Sequence, residues 1–235
     1  MAISYVSSAG IQGAITAGTA FSAAPIINAT FNGTTTMTVN SISAGAVVIG
    51  QVLYVSPYPT VTAQLTGTSG GAGTYTLSAA VSAQTNNIYA TGFDFLNVPS
   101  WVRRITVVYD SISNSGAQIG TQLGTASGIV ATGYTCSVFQ NNATGLGYGN
   151  STTDFRLTVY NNSGGRYSGT VVFTLVGSNV WVQQGILADG FNIFSDATSG
   201  GRVALPGALT TVRVSAGQAA GSDIFDGGTF NILYE

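Results

Sequence analysis

The chain has 235 residues and a formal net charge of −2, carried by six basic and eight acidic side chains. At 6% charged it holds about a quarter of the ~25% typical of a soluble domain. With no histidine and no lysine, it excludes Ser-His-Asp and Cys-His catalysis, histidine-bound zinc, Schiff-base chemistry and a phosphate-loop lysine, and its six arginines form no basic patch for nucleic acid or an anionic membrane.

No charged side chain occurs before Asp94, and every charge lies after that point. This break places a domain boundary near residue 92. Residues 1 to 28 are rich in Ala, Ser, Gly and Ile with little periodicity, and Pro25 biases Ala24 away from helix. They read as an extended arm ordered by a partner. The first residues have no basic region followed by a continuous apolar run, so no signal peptide is read. No stretch of the chain approaches the ~18 unbroken apolar residues of a membrane-spanning helix. The regular ~10-residue strands and aromatic girdles of an outer-membrane barrel are also not visible.

Residues 29 to 92 read as a small β module. Thr36-Met37-Thr38-Val39 and Thr74-Tyr75-Thr76-Leu77 alternate polar and apolar, as half-buried strands do. Val47-Val48-Ile49, Val52-Leu53-Tyr54-Val55 and Val61 to Thr66 are further strand candidates. Gly67 to Gly73 reads as a flexible turn, and Pro57 and Pro59 mark a loop or a sheet edge.

Residues 93 to 235 carry seven to nine candidate strands at short spacing, the pattern of an antiparallel β-sandwich. Arg104 to Tyr109 is the strongest. Asp154 to Val159 alternates, with Phe155, Leu157 and Val159 expected inward and Asp154, Arg156 and Thr158 outward. Thr170 to Leu175 and Val180 to Gln183 form a hairpin around Gly177-Ser178-Asn179. Thr211 to Val214 and Phe230 to Tyr234 close the domain. No amphipathic helical window is found. The fold class expected is all-β: an arm (1–28), a small β module (29–92) and a C-terminal, jelly-roll-like antiparallel β-sandwich (93–235).

Cys136 is the only cysteine, and its strand-like neighbours mark it as a buried, inert thiol. Trp101 and Trp181 read as core or interface anchors. Arg156 and Arg213 are expected on outer or intersubunit faces, paired with acids. Tyr134, Phe139, Asn141, Asn142, Tyr148, Asn150, Tyr160, Asn161, Asn162 and Tyr167 crowd into residues 134 to 167. Amphipathic rings beside short hydrogen-bonding side chains are adaptable recognition chemistry, and neutral sugars would suit such a surface. The competing reading is ordinary sandwich loops with several tyrosines in the core. Gly145 to Gly149 lacks the strand-turn-helix setting of a dinucleotide site and reads as a flexible exposed loop.

Phe95-Leu96-Asn97-Val98-Pro99 followed by Ser100-Trp101-Val102-Arg103-Arg104-Ile105-Thr106-Val107-Val108 resembles the opening of a β domain of bacteriophage tail-fibre proteins. Phe225-Asp226-Gly227-Gly228-Thr229-Phe230-Asn231-Ile232-Leu233-Tyr234-Glu235 is similar to that family's C-terminus, with Gly133-Tyr134 and Arg213-Val214 compatible between them. Residues 50 to 77 resemble a small β module that recurs in phage virion proteins, departing from it at Ser56-Pro57-Tyr58-Pro59.

The resemblance implies a virion structural protein assembled in the host cytoplasm, a homotrimer used in host attachment, with no catalytic residues and no cofactor. The arm and module would contact other virion proteins, and outward threonine rows could stack between chains. A host-surface glycan is the expected ligand of Tyr134, Phe139, Asn141, Asn142, Tyr148, Asn150, Tyr160, Asn161 and Tyr167. One alternative is a capsid decoration or head-fibre protein. A second is a glycan depolymerase, which would need an acid pair ~5 to 9.5 Å apart; Asp189 with Asp196 and Asp223 with Asp226 are the candidates, against the plain reading of turn-capping aspartates. The oxygen-rich segments around Asp189-Gly190-Phe191-Asn192 and Asp223 to Asp226 lack EF-hand spacing, so no metal is expected.

Overall fold

The computed structural model describes residues 16–17, 21–22 and 25–235, apart from 143–144, 161–162, 191–194 and 218–222. The described residues form strands and no helix. In chain order the first half contains β1 (Thr16–Ala17), β2 (Phe21–Ser22), β3 (Ile26–Phe31), β4 (Thr36–Ala44), β5 (Gln51–Leu53), β6 (Val61–Gln64), β7 (Gly73–Leu77) and β8 (Gln84–Leu96). There follow β9 (Arg104–Asn114), β10 (Ile119–Thr125), β11 (Gly128–Ile129), β12 (Thr135–Asn142), β13 (Gly145–Ser151) and β14 (Phe155–Arg156). The last five are β15 (Tyr167–Gly177), β16 (Val180–Asp189), β17 (Ser195–Ala204), β18 (Thr211–Ala216) and β19 (Phe225–Tyr234).

Two antiparallel sheets result. The first runs β1-β19-β9-β15-β16-β17-β12-β13, with β2 also on β19; the second runs β11-β10-β18-β8-β3-β4-β7-β6, with β14 on β10 and β5 on β8. The protein is an all-β sandwich. Its main core lies between the sheets: Ile105, Val107, Val171, Phe173, Trp181 and Ile232 from one meet Phe93, Phe95, Ile119, Leu123, Val212 and Val214 from the other. Phe230 of β19 stands edge-on to Phe93 of β8 at 5.0 Å between centroids. Aromatic pairs prefer this geometry, and each large apolar side chain buried contributes about 1.5–3 kcal/mol.

A second core fills the module, built from Ile27, Phe31, Met37, Val39, Tyr75, Leu77 and Ile88. The two cores divide between Ile88 and Ala90, within β8. That strand serves both halves, pairing β3 through Gln84–Tyr89 and β18 through Gly92–Leu96. Gly92 sits between β18 and β5, where a Cβ would lie 2.9 Å from the Val214 carbonyl oxygen.

Alternation sorts faces correctly in β4, β7, β15 and β16, where Met37, Val39, Tyr75, Leu77, Val171, Phe173 and Trp181 are buried. The hairpin turn between β15 and β16 has left-handed φ at both Ser178 (47°) and Asn179 (61°). That geometry matches the twist of a two-residue hairpin. The two end motifs of the C-terminal half become neighbours: β19 pairs with β9, and Arg104 and Glu235 exchange backbone bonds of 2.9 and 2.8 Å. Trp181 is buried and Trp101 packs half-buried on the core.

Several expectations are corrected. Val47-Val48-Ile49 forms no strand; Val47 instead donates its N–H to the Gly70 carbonyl. The Gly67 to Gly73 turn is held by Gln64, which donates to the carbonyls of Thr66 and Thr68 and accepts from Gly70 N–H. Ile26 to Asn28, placed in the arm by sequence, belong to β3. Thr16–Ala17 and Phe21–Ser22 pair with β19 of their own chain.

The 154–159 segment also departs from expectation. Asp154 and Thr158 are fully buried. β14 pairs with β10 of one sheet and packs against β12 and β17 of the other. Covered on both sides, it has no solvent face for alternation to report. Arg156 is half-buried beside Asp154, and Arg213 forms a nearly buried ion pair with Asp94.

Candidate functional site

The outer face of the first sheet collects the recognition chemistry. In β12, β13, β16 and β17 the residues facing away from the core fall into register across the sheet. Tyr148 stands opposite Phe139, Phe139 opposite Thr198, and Thr198 opposite Ile186. The next row is Asn150, Ser137, Gly200 and Gln184, about 7 Å further along the strands. Tyr148 is 78% exposed, Leu146 61%, Ile186 55% and Phe139 44%. An exposed apolar cluster of this kind makes this face the candidate for an interaction surface.

Phe139 and Tyr148 stack, with centroids 6.4 Å apart and ring planes 26° from parallel. Beside them lies a groove of about 750 Å³ whose lining includes Ser137, Asn150, Gln184, Thr198 and Gly200. Ligand sites usually span about 300–1,000 Å³. Gly200 keeps the trough open because it presents no side chain between Ser137 and Gln184. The lining contains hydroxyls, amides and rings, and no carboxylate. It can stack on and hydrogen-bond a polyhydroxy ligand, and it offers no acid–base pair.

The hairpin is supported from below. Gln140, on the opposite face of β12, is buried; its Oε1 accepts from Val159 N–H (2.6 Å) and Tyr160 N–H (3.1 Å), and its Nε2 donates to Ser195 Oγ (3.1 Å). Tyr160 lies beneath Gly147, whose absent Cβ would fall 2.8 Å from the ring.

Among the sequence candidates, Phe139, Asn141, Tyr148 and Asn150 share this exposed face. Asn142 is half-buried at the hairpin end. Asn161, with Asn162, lies outside the described residues. Three candidates are corrected. Tyr134 is 1% exposed, set edge-on to Phe155 at 5.0 Å, and its hydroxyl accepts from Leu123 N–H. Tyr167 is buried and its hydroxyl accepts from Gln140 Nε2. Tyr160 is half-buried under β13, away from the outer face. Burial raises the phenol pKa of Tyr134 and Tyr167. Both are core residues: Tyr167 lies on the inner side of β15, and Tyr134, just before β12, turns inward onto Phe155. Thr198, Gln184, Ile186 and Gly200 were missed. Alternation marks them outward, yet nothing local indicates that β17 lies beside β12.

Asp189 and Asp196 do not form a pair. Asp189 is buried toward the core, whereas Asp196 points outward on the adjacent strand. Asp223 binds the β9–β10 connection: its carboxylate accepts from Ser115 Oγ and from Ala117 N–H, and its carbonyl accepts from Thr91 Oγ1. Asp226 is exposed. Among the described residues no cluster of three acidic or cysteine side chains could hold a metal ion.

A second concavity, about 640 Å³, lies between the 46–49 loop, β8 and Tyr234. Its one carboxylate, Asp94, is engaged by Arg213, and the Gln64 amide by its own loop. No family model matches the chain, and no curated protein or solved structure matches it.

Proposed function

We propose that this chain is a structural protein of a phage virion, a homotrimeric tail-fibre or adhesin subunit that binds a host-surface glycan without turning it over. The observation that carries this reading is the exposed Phe139–Tyr148 stack at a groove lined by amides and hydroxyls. Sugar rings present apolar C–H faces to aromatic rings and hydroxyls to short polar side chains. The near absence of charge supports assembly, since a surface with so little net charge associates readily. The module and arm would attach the subunit to other virion proteins.

The test is a glycan array and a host-cell binding assay with the full chain, together with its mass in solution. Binding that disappears in the Phe139→Ala/Tyr148→Ala double variant supports the reading. A monomer that binds neither glycan nor cell overturns it. Copy number per particle separates a fibre, with a few to some tens, from a capsid decoration protein, with several hundred. A depolymerase would release reducing sugar; the opposed faces of Asp189 and Asp196 leave that pair unable to flank one bond.

A further inference from the structure

We infer that the outer-face groove selects a glycan carrying a carboxylate, and that Arg202 is the residue that receives it. This rests on the glycan reading above and names the class of sugar.

Arg202 follows Gly200 by two positions on β17, so it rises from the same face as the groove floor, about 7 Å along the strand. It is exposed, and its cross-strand neighbours are Thr135 and Val182, neither of them charged. The other arginines near strand ends and junctions are engaged. Arg213 holds Asp94, Arg104 holds Glu235, and Arg103 donates to the carbonyls of Ser100 and Val102. Arg202 meets no carboxylate among the described residues.

Arg202 therefore stands without a carboxylate partner among the described residues, about 14 Å along the same face from the Phe139–Tyr148 row. Guanidinium presents a planar fork of donors that matches a carboxylate with two parallel hydrogen bonds. The face is also polarised. The outward acid of β17, Asp196, lies six residues earlier on the same strand, about 20 Å from Arg202. An acidic sugar would therefore place its carboxylate at the Arg202 end and a neutral ring on Phe139 and Tyr148. The order is set by repulsion from Asp196 as well as by attraction to Arg202. Neutral sugars, which the tyrosine- and asparagine-rich sequence alone suggests, fill the stacking half and leave Arg202 unused.

Calorimetric titration of the full chain with matched probes tests this. The pairs are sialyllactose against lactose, and hyaluronan oligosaccharides against their carboxyl-reduced form. The acidic member of at least one pair should bind about tenfold or more tightly than its neutral partner. Arg202→Gln should abolish that preference while leaving the neutral affinity and the thermal midpoint unchanged, since the side chain is exposed. Equal binding of both members, or a preference that survives Arg202→Gln, overturns the role of Arg202 and leaves the glycan reading standing. Failure to bind any of these probes overturns the role of Arg202, whereas the glycan reading falls only if the array and cell assays are also blank.

Discussion

Asp94 and Arg213 stand directly opposite each other on β8 and β18 and form a two-pronged ion pair, Nε to Oδ1 at 2.6 Å and Nη2 to Oδ2 at 2.8 Å. Thr60, from the module, donates its hydroxyl to the same carboxylate at 2.8 Å. Asp94 is the first charged residue of the chain, and it ties the uncharged module to the sandwich. Removing one partner of a nearly buried pair strands the other charge and typically costs about 3–5 kcal/mol. Arg213 keeps 16% of its side chain exposed, so Asp94→Ala should lower stability by about 3 kcal/mol. Thr60→Val should cost about 1 kcal/mol. Urea unfolding midpoints check both; a loss below ~1 kcal/mol for Asp94→Ala would mean that water replaces the pair.

Asp154 titrates against the fold. Its carboxyl is buried between the sheets, neither oxygen meets a protein partner in full hydrogen-bond geometry, and burial raises its pKa above the ordinary 3.8, with Ser151 and Arg156 partly opposing. The unfolded chain therefore releases this proton first as pH rises. The native state binds more protons between the two values, so stability falls as pH climbs through that window and levels off above the folded value. Asp154→Asn removes this titration. Its stability relative to the wild type should improve as pH rises from about 4 toward neutral, and the difference should be constant below 3.8. Parallel curves for the two proteins across this range would refute the account.

Cys136 is 4% exposed and its thiol pKa is pushed up to about 11, chiefly by burial. Thiolate is the reactive form, so the native protein should not react with a thiol reagent at pH 8. One thiol per chain should appear on unfolding. Rapid native labelling would show that the β12–β17 contact opens readily.

Tyr148 is largely solvent-exposed, so Tyr148→Ala should leave stability within about 0.5 kcal/mol. Affinity for a bound glycan should fall about tenfold, equivalent to ~1.4 kcal/mol. Phe139→Ala should do the same with a somewhat larger loss of stability, because Phe139 is the more buried of the two rings. A stability loss above ~2 kcal/mol in Tyr148→Ala with unchanged binding would make the ring structural.

The hairpin that carries Phe139 and Tyr148 was not legible from its own sequence: the glycines of 145–149 read as a loop, and pairing with β12 is what makes them a strand with both rings on one face. Tyr134 and Tyr167 were not separable from them by composition, because a tyrosine's fate depends on which side of its strand meets the opposite sheet. Asp154 shows the converse. Its alternating neighbours predict an outward carboxylate, and only the insertion of β14 between two sheets buries it.

The sequence by itself determined the all-β class, the faces of β4, β7 and β15, the burial of the cysteine and the shortage of charge. These follow from the two-residue period of a strand and from composition, which are properties of neighbouring residues. The tertiary structure decided that β17 lies against β12, bringing Thr198 to the Phe139–Tyr148 stack, and Gly200 and Arg202 to the same face beyond it, from more than 45 positions away. It also placed Asp94 opposite Arg213 across 119 residues. Such pairings are selected by the summed burial and hydrogen bonding of whole sheets, a total that no local stretch of chain encodes.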